Sequence, residues 1–429
     1  MSTNNDSPST SELVLWNVRL IDRRSSSPRE RMCVTVRDRN ITEVGEASGA
    51  AVPDGALDLE GRFVLPGLID AHIHLGEDPK MLGELAPPKP AQGEEPRPRE
   101  LVYFVLARAA RLFLRSGITS IRDVGCYDDN AIVLREAIRL GLTEGPRVLS
   151  CGRIISATAP GARIFNSMYE EADGPWEMRR SVRNQLKRGA DYIKVMAGGA
   201  RSVLRENPEP AQLTKEEMDA LVDEAHRLGL RVAAHAEGLG AVRLAVEAGV
   251  DTVEHGLSLH RAPALLDRMA QRGVVLVPTL TTFHDVGERF ADLFSPRLVE
   301  QAKRQRDEAY QTLIAAHNAG VILAMGFDSG PPGADALELV RMVEGGLRSH
   351  EAITAATAGS AHALGLDDVG TIEPGKRADL TVLDDDPLKD IGTLTRPEKI
   401  WMVVSNGRVV AGQGVDNGAL RRWANDAGV

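Results

Sequence analysis

His72 and His74 alternate with Ala71 and Ile73 just after the apolar run Phe63-Val64-Leu65-Pro66-Gly67-Leu68-Ile69. Side chains two apart on a strand point to the same side, so both imidazoles reach one place. Two neutral imidazoles converging at a strand end are half of a metal site. Four more ligand-type residues close later apolar stretches: Lys194 in Tyr192-Ile193-Lys194-Val195-Met196, His235 in Val232-Ala233-Ala234-His235, His255 in Thr252-Val253-Glu254-His255 and Asp328 in Met325-Gly326-Phe327-Asp328. Singly, each has an ordinary role. The lysine can snorkel or pair with an acid, the histidines can be satisfied core or edge residues, and an Asp before Ser-Gly can cap a turn. Lys194 has a chemical alternative, because desolvation and neighbouring positive charge lower an amine's pKa. A neutral amine adds carbon dioxide to give a carbamate, a two-oxygen anion able to bridge two cations. Taken together, six ligand-type side chains at strand ends favour a metal site over coincidence.

These residues need a scaffold that brings strand ends to one edge. Apolar strand candidates fall at 63–74, 117–125, 146–151, 191–197, 231–236, 251–257, 274–280 and 321–328, with amphipathic helical patterns such as Glu216–His226 between them. That alternation predicts an α/β chain folded as a (β/α)8 TIM-type barrel, whose active sites form at the C-terminal ends of the strands. A doubly wound open sheet is the alternative, and it is disfavoured because no Gly-rich phosphate loop follows the first strand. Short alternating stretches at both termini, with an Asn406-Gly407 turn, read as hairpins too small to fold alone. They should pair as a small β-sandwich. The expected organisation is a disordered tail over 1–11, a composite sandwich from 12–62 and 369–413, a catalytic barrel over 63–368 and a C-terminal tail over 414–429. Long loops at 76–98, rich in proline, and at 152–174 follow strands 1 and 3 on the side where barrel sites form. The first is a candidate lid.

Bulk properties narrow the class. With 429 residues, 43% of them hydrophobic, the chain can bury a large core. A formal net charge of −10 argues against nucleic-acid and anionic-membrane partners. No apolar run approaches the roughly 18 residues of a membrane span, and the polar first dozen residues lack the apolar core of a signal peptide. Cys33, Cys126 and Cys151 are few and far apart, which fits a reducing cytoplasm and offers no thiolate metal site.

The order His-x-His, Lys, His, His, Asp on successive strands resembles the amidohydrolase superfamily in its binuclear form with a carboxylated lysine. Val64-Leu65-Pro66-Gly67-Leu68-Ile69-Asp70-Ala71-His72-Ile73-His74 and Gly370-Thr371-Ile372-Glu373-Pro374-Gly375-Lys376-Arg377-Ala378-Asp379-Leu380 are similar to stretches of the branch of imidazolonepropionases and metal-dependent prolidases. A weaker likeness is to bacterial phenylurea and thiocarbamate hydrolases. The resemblance implies two divalent ions, Zn2+ by ligand type with Mn2+ or Co2+ as alternatives. His72, His74 and Asp328 would hold the more buried ion and His235 and His255 the second, with carboxylated Lys194 between them. It implies hydrolysis of a C–N bond in an amide, urea or carbamate by an acidified water, with Asp328 carrying the proton to the leaving nitrogen. Lys194 and Asp328 are thus the catalytic candidates, the substrate is a small molecule and the assembly is a homo-oligomer. One departure weighs against dipeptide hydrolysis: Ala157–Phe165 replaces the Gly-His-Gly stretch common in the prolidase-like branch.

Substrate contacts are less constrained. Ile164, Phe165, Met168 and Tyr169, with Leu280 and Phe283, could form an apolar wall or simply pack their loops. Arg163 or Arg201 could meet a substrate carboxylate or stay solvated. An apolar lining favours an N-aryl or N-acyl compound. A prolidase-like dipeptidase, an N-acyl amino acid hydrolase and a thiocarbamate hydrolase are alternatives, as are cyclic-amide opening and deamination of a heterocycle, and Lys194 disfavours the deamination. A metal-free binding or assembly protein is the alternative from another class, disfavoured because all six ligand positions are present.

Overall fold

The computed structural model describes residues 12–23, 26–49, 51–75, 98–203, 205–289, 291–328 and 330–416. The proline-rich stretch at 76–98 therefore lies outside the described residues except for its last position, as do 1–11 and 417–429 of the expected tails. The described chain forms α/β structure with one mixed and two parallel sheets.

The apolar run at 63–74 is expected as one strand, but the chain changes sheets in the middle of it. Phe63–Pro66 pairs antiparallel with Leu380–Leu383, whereas Leu68–Ile73 runs parallel to Ile118–Asp123. Gly67 is the crossing point: its N–H donates to Asp379 at 2.8 Å and the next N–H to Gly117 at 2.9 Å. A Cβ at Gly67 would lie 2.3 Å from the Thr119 hydroxyl, so no side chain fits there.

One parallel sheet orders Leu68–Ile73, Ile118–Asp123 and Arg147–Ser150. The other orders Tyr169–Glu171, Ile154–Ser156, Ile193–Met196, Val232–Ala236, Thr252–His255 and Val275–Val277. Its first two strands are short and lie inside the expected loop at 152–174, which also contains the helix Pro160–Phe165. The expected last strand, 321–328, forms no continuous ladder. Isolated parallel bridges join Leu323 to Leu276 and Asp328 to Ile73. Backbone bonds Ala324 to Leu276 at 3.0 Å, Ala71 to Met325 at 2.8 Å and Asp328 to His72 at 2.7 Å make this segment the tie between the two parallel sheets. On the far side the Asp191 N–H donates to Ser150 at 2.8 Å.

The helices cover these sheets through apolar faces. Lys215–Arg227 starts at a capping box formed by Thr214 and Glu217 and buries Met218, Leu221, Val222 and Ala225. Among the described residues no helix is long and apolar enough to cross a membrane.

Both termini join a single eight-stranded sheet. Its order is Arg408–Ala411, Ile400–Ser405, Leu380–Leu383, Phe63–Pro66, Glu12–Leu20, Arg29–Arg37 and Asn40–Glu46, with Leu57–Asp58 also beside Glu12–Leu20. Asn406 and Gly407, with φ of 51° and 77°, make the expected two-residue turn. Leu15, Val34, Ile41, Val64, Leu380 and Met402, drawn from strands far apart in that order, share one apolar cluster.

Gly359 backs the segment leading to Asp328: a Cβ there would sit 2.1 Å from the Leu323 carbonyl oxygen. Gly359→Ala is expected to destabilise the protein by about 1–3 kcal/mol through overpacking. An unchanged chemical-denaturation midpoint would show that the segment yields freely.

Candidate metal centre

All six ligand-type side chains meet at the C-terminal edge of the parallel strands. His72 lies within Leu68–Ile73, Lys194 within Ile193–Met196, His235 within Val232–Ala236 and His255 at the end of Thr252–His255, while His74 follows Ile73 and Asp328 is bridged to it. Parallel register places Met196 opposite His235 and Ala236 opposite His255, which levels these strand ends.

Ligand atoms of His72, His74 and Asp328 all lie within 4.8 Å of one another. The Asp328 Oδ1 atom is 3.5 Å from His72 Nε2 and 3.6 Å from His74 Nε2. Tautomers follow from the opposite ring nitrogens. His72 Nδ1 donates to Glu254 Oε2 at 2.6 Å, and His74 Nδ1 donates to the Gly125 carbonyl at 2.6 Å. Each Nε2 is thereby turned towards Asp328 Oδ1. The second group is similar. His255 Nε2 and His235 Nδ1 face each other at 2.9 Å, while His255 Nδ1 bonds Thr279 and His235 Nε2 donates to the Gly199 carbonyl at 3.3 Å. The His72 and His255 rings are 5.1 Å apart, so the two groups are contiguous.

Burial sets the charge states. It pushes His74 down to about 4 and His235 and His255 well below the usual imidazole range, so all three are neutral and ligand-competent near pH 7. Asp328 is held well below its usual range: burial works against this, and the hydrogen-bonded His72 with the neighbouring imidazoles outweighs it. Lys194 is buried, its Nζ has no hydrogen-bond partner, and burial lowers its pKa to about 8 although Glu254 pulls it upward. A buried amine with no acceptor, beside four imidazoles and a carboxylate, is the donor set two divalent ions and a lysine carbamate would complete. The residues fit the group that the sequence implies.

Backbone strain gathers at the same edge. Asp328, His255 and Thr279 adopt φ of 64°, 71° and 49°, a region uncommon for any residue but glycine and most costly for the β-branched Thr279.

The surrounding pocket holds about 880 Å³ of space open to solvent. Phe165, Met168, Tyr169 and Arg201 line it, with Phe165 stacked on Tyr169 at 5.1 Å. Phe283 is buried beneath the rim, and the Arg201 guanidinium lies over its ring at 4.4 Å. Arg163 and Ile164 are exposed on their short helix and do not line the pocket, and Leu280 is buried away from it. The helix turns Arg163 outward while Phe165 turns in.

The sequence reading passed over Glu254, Arg122 and Glu237. Glu254 is fully buried, accepts from His72 and from Arg122 Nη2 at 2.8 Å, and is also bonded by Thr252. Charged residues inside otherwise apolar strands, Arg122 in Ser-Ile-Arg-Asp and Glu254 in Val-Glu-His, were the signal that could have revealed them.

A sequence model of the amidohydrolase family matches residues 63–410. The chain belongs to the amidohydrolase family. Ochratoxinase of Aspergillus niger is 32% identical to it over 397 residues, covering 85% of this chain and 78% of that protein. The crystal structure of that fungal enzyme superposes with a TM-score of 0.81 at 27% identity, over 97% of this amidohydrolase and 98% of its own chain. A Xaa-Pro dipeptidase solved with methionine bound in its active site is 30% identical, with a TM-score of 0.81 over 93% of this chain and 99% of that one. Phenylurea hydrolase B, at 24% identity and a TM-score of 0.72 over 93% and 96% of the two chains, shares the fold.

Glu254→Gln replaces the anion shared by His72, Arg122 and Thr252 in this amidohydrolase with a neutral amide that leaves one carbonyl acceptor for three donors. Metal affinity, measured by competition with a chromophoric chelator, should fall about 10–100-fold with circular dichroism unchanged. Unaltered affinity would mean that Glu254 serves packing alone.

Proposed function

We propose that this amidohydrolase cleaves the C–N bond of an N-acyl amino acid, an amide with an apolar acyl part and a free carboxylate on its amine part. Arg201 carries this reading. Its guanidinium lines the same pocket as the ligand cluster, stands 4.0 Å from Asp328 Oδ2, and has an Nη1 atom that is buried without a partner. The guanidinium already has Glu237 at 3.4 Å as an ion-pair neighbour, and its free Nη1 offers a further donor to a carboxylate of the ligand beside the apolar wall. The Xaa-Pro dipeptidase relative, named for cleavage of a peptide bond, supports the same class.

His72, His74 and Asp328 would hold one divalent ion and His235 and His255 a second, with a carbamate on Lys194 between them. Zinc suits this mixture of imidazole and carboxylate. Bound there, the ions would supply Lewis acidity and lower the pKa of a water. Lys194, with its depressed pKa, has an accessible neutral amine that adds carbon dioxide and releases one proton. Asp328, whose carboxyl is held well below the usual range, accepts the proton of the attacking water and returns it to the leaving nitrogen. Arg201 orients the substrate through its carboxylate, and Phe165, Met168, Tyr169 and Ile154 receive the acyl group and exclude water.

We read the two parallel sheets, tied through 322–328, as one (β/α)8 barrel. The eight-stranded sheet, whose distant strands share a core, is read as a sandwich folded on itself.

The test is elemental analysis of protein purified without chelator, followed by assay with N-benzoyl-L-phenylalanine. Near two equivalents of metal per chain and benzoate release are expected, and chelation should abolish turnover. Absence of both metal and turnover would overturn the reading. Arg201→Ala should raise KM for this substrate about 10–100-fold with a smaller change in kcat. Asp328→Asn should lower kcat by about a hundredfold or more; near-full activity would remove Asp328 as proton carrier.

A further inference from the structure

Glu237 lines the pocket, and the reaction as described gives it no task. It follows His235 by two residues, and its side chain is 2% exposed. Neither carboxylate oxygen has a well-formed hydrogen bond, the Arg201 backbone N–H being a near donor. Arg201 Nε and His235 Nε2 approach Oε1 at 3.4 Å and 3.5 Å as ion-pair neighbours. The His235 N–H is directed instead to the Gly199 carbonyl.

A buried carboxylate with only long contacts to one arginine gains from a ligand that supplies a further donor. Arg201 Nη1 has the opposite need in the same pocket. The site therefore presents an acceptor for N–H and a donor for carboxylate side by side. An N-acyl amino acid carries both groups on one carbon, because its scissile N–H and its carboxylate are attached to the same Cα.

We infer that Glu237 receives the scissile N–H, so that the enzyme selects amides of primary amino acids and rejects amides of proline and other N-alkylated amino acids. The inference rests on the reaction proposed above. A tertiary amide has no N–H to give. It would leave the Glu237 oxygens without that further donor and press an alkyl group against them. After cleavage the departing amine gains N–H groups, which the same carboxylate holds. Glu237 is thus a specificity residue acting on the leaving side of the bond, while Arg201 fixes the adjacent carboxylate.

The experiment compares N-benzoyl-L-phenylalanine with N-benzoyl-N-methyl-L-phenylalanine and N-benzoyl-L-proline on the metal-loaded wild-type enzyme. The secondary amide should be favoured in kcat/KM by at least about tenfold. Glu237→Leu should bring that ratio towards one, and Glu237→Gln, which keeps one carbonyl acceptor, should retain part of it. Metal content of both variants is measured alongside, since loss of metal lowers every substrate equally. Calorimetric binding of the first two compounds to the Asp328→Asn enzyme gives the same comparison without turnover. If wild type hydrolyses none of the compounds, the proposed reaction fails, and the binding ratio still decides the role of Glu237. Equal binding of the pair, or binding of neither, overturns the inference. So does tertiary-amide hydrolysis as fast as that of the parent, or a preference that survives intact in Glu237→Leu.

Discussion

The arrangement depends on one buried anion. Glu254 is sealed from solvent, and its carboxylate is met by the Arg122 guanidinium, the Thr252 hydroxyl and His72 Nδ1. Arg122 in turn donates to the Ala71 carbonyl at 2.6 Å. A carboxylate in so dry a place survives only because donors surround it. Burial alone would raise its pKa, yet Arg122, Lys194 and His72 hold it below the usual carboxylate range. Its charge ties strands from both parallel sheets beneath the ligand cluster and fixes which nitrogen of His72 is free.

Above that anchor the edge carries unsatisfied and strained groups in unusual density. Lys194 Nζ, Arg201 Nη1 and both Glu237 oxygens are buried without well-formed hydrogen bonds, and Asp328, His255 and Thr279 take left-handed backbone conformations. Each feature destabilises the folded chain, and each lies beside the others. The interior below is apolar and closely packed, which is what allows the rim to carry such groups. Stability and chemistry are separated along the strand axis, as expected of a parallel α/β scaffold whose loops bear the function.

Much of this is legible in the sequence, for reasons visible in particular residues. His72, His74, His235, His255 and Asp328 each close an apolar run and Lys194 interrupts one, and the alternation of strands and helices is enough to suggest that they meet at one edge. The Lys215–Arg227 helix and the Asn406-Gly407 turn carry local signals that tertiary contacts do not override. Other features escape local reading. The sheet change at Gly67 depends on Thr119, 52 positions away, filling the space where a side chain would sit. The 321–328 run is apolar enough for a strand but is held by isolated bridges rather than a ladder. Whether Arg163 or Arg201 faces the pocket is decided by a helix rotation and by the Phe283 ring beneath Arg201, neither of which spacing encodes.

Glu206 has a wider consequence. One oxygen accepts the Gly161 N–H at 2.5 Å, at the start of the short helix bearing Phe165, and the other accepts the Ala200 N–H at 2.7 Å, next to Arg201. A single carboxylate thus clamps together the loops that hold the apolar wall and the cationic anchor. The two ends of the cavity act as the jaws of a fixed caliper: its opening is set by the backbone, so a change that reshapes one jaw also moves the other. Diversification of such an enzyme would then proceed by exchanging side chains within a constant span, and a longer or shorter substrate would first require that clamp to be rebuilt.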